Sequence, residues 1–156
     1  MLAHKLHGIA DSHMKFDQLT RALQAEFGQN AQEIEPRHWA VEVMIDARRS
    51  QVVHVLILER TANGRDASRL VLESPIGPLP ARHDLEALLR RNASLDIGAI
   101  SIQDLRDEEE GIVPYLTLRA SRLLRTVAED EVWEMLDKVA HVADTLEKEI
   151  FASDMH

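Results

Sequence analysis

The stretch LESPIGPLPARHDLEALLRRN, residues 72–92, decides the fold. It begins inside an apolar segment, RLVLES (69–74), and crosses Pro75, Pro78 and Pro80. It ends in a segment whose Leu85, Leu88 and Leu89 share one helical face. Proline has no N–H to give a ladder, so the three prolines predict that strand pairing stops there. Pro80 also suits the first turn of a helix. The leucine spacing predicts a short helix ending near Asn92. A strand, a stiff joint and a short helix at mid-chain divide the sheet into strands before the joint and strands after it.

Upstream, Phe16, Leu19, Leu23 and Phe27 recur at helical spacing and Gly28 follows, which predicts a helix over about 13–27. The polar 29–37, with Pro36, predicts a loop. HWAVEVMID (38–46) alternates apolar and polar residues, as a half-buried strand does. QVVHVLILER (51–60) is apolar on both faces, and Asn63-Gly64 signals a tight turn before RLVLES. These connections are too short for crossover helices, so the three strands form an antiparallel meander.

Downstream, IGAISIQDL (97–105) and GIVPYLTLRA (111–120) predict two further strands joined by RDEEEG. Pro114 predicts an edge position or a bulge. Thr126 and Glu129 match a capping box. After them Val132, Leu136, Val139, Ala143, Leu146 and Ile150 predict a helix over about 127–151. The order α-β-β-β-α-β-β-α gives an α+β fold: an antiparallel five-stranded sheet, two covering helices and a middle helix whose stripe lacks an obvious place. One domain spans 13–151, with a loose segment at 1–12 and a short tail at 152–156.

Of the 156 residues 45% are hydrophobic and 29% charged, which excludes a disordered chain. There is no cysteine, hence no disulfide and no thiolate metal site. No run of about 18 apolar residues exists, so membrane insertion is not expected. The formal net charge is −9, and the segment after residue 126 holds nine carboxylates against Lys138 and Lys148. Such a surface repels phosphates and argues against nucleic acid. No secretory leader is visible, so a cytoplasmic location is expected.

Eight histidines prompt a metal search. His4, His7 and His13 have no carboxylate at ligand spacing, His54 lies in an apolar strand, and His38, His83 and His141 are isolated, so no metal site is expected. No nucleophile motif and no phosphate loop occur, and the carboxylates at 107–110 sit in a turn. No catalytic residue, cofactor or enzymatic activity is expected. The surplus apolar surface, Leu85, Leu88 and Leu89, points to a protein interface, and two-fold dimers are the commonest outcome.

On this order and on these stretches the chain resembles the class I type III secretion chaperones, the Tir chaperone-like family. LVLESPIGPLP, DLEALLRRN and IGAISIQD resemble the family's third strand, proline-marked joint, middle helix and fourth strand. YLTLRA followed by an acidic amphipathic helix is similar to its ending, and the resemblance covers about 13–151. The length looks compatible with the multi-effector export subtype. The resemblance implies a non-enzymatic homodimer that binds the N-terminal segment of a secreted effector in extended form and keeps it export-competent. It places the dimer interface on Leu85, Leu88, Leu89, Ile100 and Ile102. Client contact is expected at Phe16, Leu19, Leu23 and Met44, with ordinary core the competing role for Leu19 and Leu23. The expected partners are a second copy, secreted effectors and, as a candidate third, the ATPase of the export apparatus. The alternative is a regulatory protein-binding adaptor of the same fold outside secretion.

Overall fold

The computed structural model describes residues 16–81 and 84–151. The segment 1–12, the first residues of the expected first helix, His4, His7, His13 and His83, and the tail at 152–156 lie outside them. The elements are α1 (Phe16–Phe27), β1 (Ala31–Glu35), β2 (His38–Met44), β3 (Ser50–Leu58), β4 (Thr61–Ala62), β5 (Arg65–Asp66), β6 (Arg69–Pro78), α2 (Leu85–Asn92), β7 (Ala99–Asp107), β8 (Gly111–Leu123) and α3 (Glu129–Phe151). The α+β class is as expected, but the main sheet has six strands, in the order β1-β2-β3-β6-β8-β7, every pair antiparallel. β4 and β5 form a separate two-residue ribbon around Asn63 and Gly64. Both turn residues have positive φ (52° and 71°), as a type I′ turn requires.

The extra strand is β1, where a loop was expected. Its residues AQEIE bury almost nothing. It is an edge strand held by backbone pairing to β2, with a register shift between Glu33 and Glu35. The proline joint differs too. Pairing of β6 to β3 ends at His54–Glu73, ahead of Pro75, as expected. On the other side β6 continues along β8 as far as Pro78–Tyr115, with an irregularity between Pro75 and Gly77. The prolines therefore end one ladder and bulge the other. Pro114 lies in β8, an interior strand, contrary to an edge assignment. Its carbonyl accepts from the Leu79 N–H at 2.8 Å, just where β6 has ended. A strand residue's N and O point to the same side, so the missing donor faces the end of β6 and breaks no ladder bond to β7.

All three helices cover one face of the sheet. Trp39, Val41, Val53, Val55, Leu70, Leu72, Leu118 and Ala120 share that face by register and join one core with Leu19 and Leu23 of α1 and Val132, Leu136, Val139, Ala143 and Leu146 of α3. Phe16 packs on Trp39 with ring centroids 5.4 Å apart, and Phe27 meets Trp133 edge-on at 5.7 Å. The β2–β3 turn is tied to α3. Asp46 accepts from the backbone N–H of Arg48 and Arg49, and Arg49 reaches Asp144 at 2.9 Å. The first of these bonds, then the Arg49 side chain, holds the Asp46 carboxyl below its usual range.

The capping box does not form. Thr126 lies in a short 3-10 turn and donates its hydroxyl to the Leu123 carbonyl, and α3 starts only at Glu129. Glu129, Asp130 and Glu131 fill its first turn, where carboxylates complement the helix dipole. Among the described residues no helix is long and apolar enough to cross a membrane.

Candidate protein-binding surfaces

The joint at 75–80 delivers α2 to the β7 side of the sheet. Asp84 caps it, its carboxylate accepting from the Ala87 N–H at 3.1 Å, so Pro80 precedes the helix. Leu88 is buried, as is Ile100 below it on β7. The two belong to the core, and the little surface they keep lines the hollow at this edge. Leu85, Leu89 and Ile102 are the exposed members of the expected interface, at 49%, 68% and 48%. Leu88, Leu89, Asn92, Ile100, Ser101, Ile102 and Leu116 line a mostly apolar cavity of about 180 Å³ at this edge. Large exposed apolar side chains, two of them bordering one apolar hollow and Leu85 on the same helix, are unusual on a small protein and mark a contact surface.

β7 is an outer strand of the sheet. The Asn92 amide grips it at one point: its oxygen accepts from the Ile100 N–H at 2.7 Å and its nitrogen donates to the Ile100 carbonyl at 3.3 Å. Ile100 therefore aims its backbone groups away from β8. Alternation then aims those of Ile102, Asp104 and Arg106 the same way, along an open edge. Pairing of Asp104 with Pro114, whose own groups face β6, agrees with that parity.

The second surface is the sheet face that, among the described residues, no helix covers. Its β6, β8 and β7 side is polar. Glu73 accepts from Gln103 at 2.6 Å and faces Arg119 at 3.5 Å, and Ser101 and Thr117 share a hydrogen bond of 2.8 Å. Its β2 and β3 side is more apolar, with Ala40, Met44, Val52 and Leu56 around the hydrogen-bonded Glu42 and Ser50, and Met44 is 55% exposed. Between these residues His38 and His54 meet at 2.8 Å, Nε2 to Nδ1. Burial first, then the neighbouring His38, holds His54 below the usual histidine range.

Of the expected client residues, Met44 lies on this open face. Phe16 is half-buried against Trp39, across the sheet from Met44. Leu19 and Leu23 have no exposed surface at all, so the structure places them as core and not as contact residues. The four do not form one patch. The histidine pair was not visible to residue-by-residue inspection, which treated His54 as a core residue and His38 as isolated. Hairpin counting finds it: once Met44 stands opposite Ser50, His54 falls opposite Ala40, diagonal to His38.

Among the described residues no group of three or more His, Cys, Asp or Glu is placed to hold a metal ion. A cleft of about 610 Å³ lies between the β2–β3 turn and the end of α3, lined by Arg48, Arg49, Asp144, Glu147, Lys148 and Phe151. Its charges are largely spent on one another, since Arg49 and Lys148 both bind Asp144. No family model matches the chain, and no curated protein matches its sequence.

Proposed function

We propose that this protein is a homodimeric chaperone that grips the N-terminal segment of type III secretion effectors in extended form and keeps them competent for export. One observation carries the reading: after the core is complete, Leu89 and Ile102 still border an apolar hollow beside an open strand edge, with Leu85 exposed on the same helix. An isologous two-fold contact covers such a patch economically, because each copy supplies both halves. The uncovered sheet face, with Met44 and Val52, then remains for an extended passenger, which adds backbone bonds at edges and apolar contacts on faces. The one-sided layering of helices supports this division of labour, since it leaves a broad face free without exposing the core.

The test is mass in solution. The wild-type chain is expected to scatter light as a dimer at micromolar concentration. Leu89→Asp places a charge in the contact while leaving the exposed position compatible with the fold, and is expected to scatter as a monomer. Leu88 is unsuitable for this purpose because it is core. A wild-type chain of monomer mass at these concentrations overturns the dimer. For the passenger, proteins co-purified from the native host are expected to bind through their N-terminal segments alone. If those segments fused to a reporter do not bind, the export reading fails.

A further inference from the structure

The His38–His54 contact has a feature that the passenger reading does not use. The two rings come from neighbouring strands, with centroids 5.0 Å apart and planes at 54°. Their facing nitrogens are 2.8 Å apart, so one must donate and the other accept. The acceptor must be neutral, hence the bond survives with no added proton or with one, and cannot survive with two. The nitrogens aim at each other and not at a shared third point, which fits a proton better than a metal ion.

The charged groups around the pair do not relieve a second proton. Glu35 stands opposite His38 on β1, at the exposed edge. On β2, Glu42 accepts from the Ser50 hydroxyl, and in the turn before it Arg37 pairs with Glu59. On β6, Glu73 is opposite His54 but is engaged by Gln103 and Arg119, while Arg69 donates to Ser121. The neighbours on the same face are Ala40, Leu56, Val52 and Glu42, with Met44 one pair further along β2. Two imidazolium ions there repel one another and turn the apolar half of the open face positive.

We propose that the His38–His54 pair makes the open sheet face a proton-gated binding surface, receptive while the inter-ring hydrogen bond holds with at most one added proton, and repellent to an apolar segment once two added protons break that bond. The inference rests on the reading of that face as the passenger site. Mildly acid surroundings then release the passenger with no change in overall fold.

Two measurements test it. In the first, ring resonances of the full chain are followed from neutral pH to about pH 4.5. His54 is expected to titrate below its value in the urea-unfolded chain, and His38→Gln is expected to move it upward. Titration at the unfolded value, or no response to His38→Gln, overturns the gate. In the second, fluorescence anisotropy reports binding of a labelled, reduced and carboxymethylated lactalbumin, a permanently unfolded polypeptide. Acidification is expected to weaken binding to the wild type about tenfold more than to the His38→Gln/His54→Gln double variant. Normal binding at neutral pH with equal acid sensitivity in both proteins sinks the gate alone. No binding at neutral pH sinks the passenger reading and the gate with it.

Discussion

At the scale of single residues, two glycines show how neighbours decide what a methyl group costs. Gly98 has φ +69°, and a Cβ there would lie 2.7 Å from the Arg119 carbonyl oxygen, part of the β8 backbone. A Cβ on Gly77 would collide with the Phe151 ring, a side chain at the end of α3. Backbone in a ladder cannot yield, whereas a terminal ring turns aside. Gly98→Ala is expected to cost about 1–3 kcal/mol in urea unfolding. Gly77→Ala is expected to cost less, and its cost is expected to shrink further when Phe151 is also changed to Ala. Equal costs for the two glycines would contradict the contrast. Residue-scale signals were legible in part: Gly28 at φ 53° ends α1, and Asn63-Gly64 turns the short ribbon, both as the sequence suggests. Gly98 was silent, because its demand comes from Arg119, on a strand distant in sequence. The histidine pair was silent for the same reason.

At the scale of elements, legibility follows burial. α3 and β2 bury a periodic set of side chains, and periodicity exposed both. β1 buries almost nothing, so its pairing left no apolar pattern in AQEIE and it read as loop. The Thr126–Glu129 motif misled, because the buried Val127 and the 3-10 turn before it use up Thr126 ahead of the helix. α2 was read as a stripe of three equivalent leucines, yet the sheet takes Leu88 and leaves Leu85 and Leu89. Adjacent positions on this helix should therefore behave differently. Leu88→Ala is expected to lower stability by about 2–5 kcal/mol at every protein concentration, because it empties a packed site. Leu89→Ala is expected to lower apparent stability only where association contributes, at higher concentration. Urea midpoints at two concentrations separate the cases, and a concentration-independent loss for Leu89→Ala would place it in the core.

At the scale of the whole molecule, the sequence made the α+β class and the downstream hairpin plain, while the fact that all three helices share one face emerged only from register. That arrangement gives the acid limb of stability its sign. The unfolded chain protonates His54 around its ordinary 6.5, and the folded chain resists until a lower pH because burial and His38 oppose the charge. Between those values the unfolded state holds more protons, so stability falls as pH falls through that window and is fully present above it. His54→Gln is expected to flatten this limb in urea midpoints measured across mildly acid pH. An unchanged limb would show that His54 does not carry it.

The Asn92 amide has one more consequence for the molecule's dealings with others. It imitates a short piece of peptide and lies where a visiting strand would otherwise start, so the berth alongside β7 opens only at Ile102 and closes at the acidic bend after Asp107. A guest there finds room for a few residues and no more. A docking space of fixed, short length admits one companion and gives a growing fibre no place to begin.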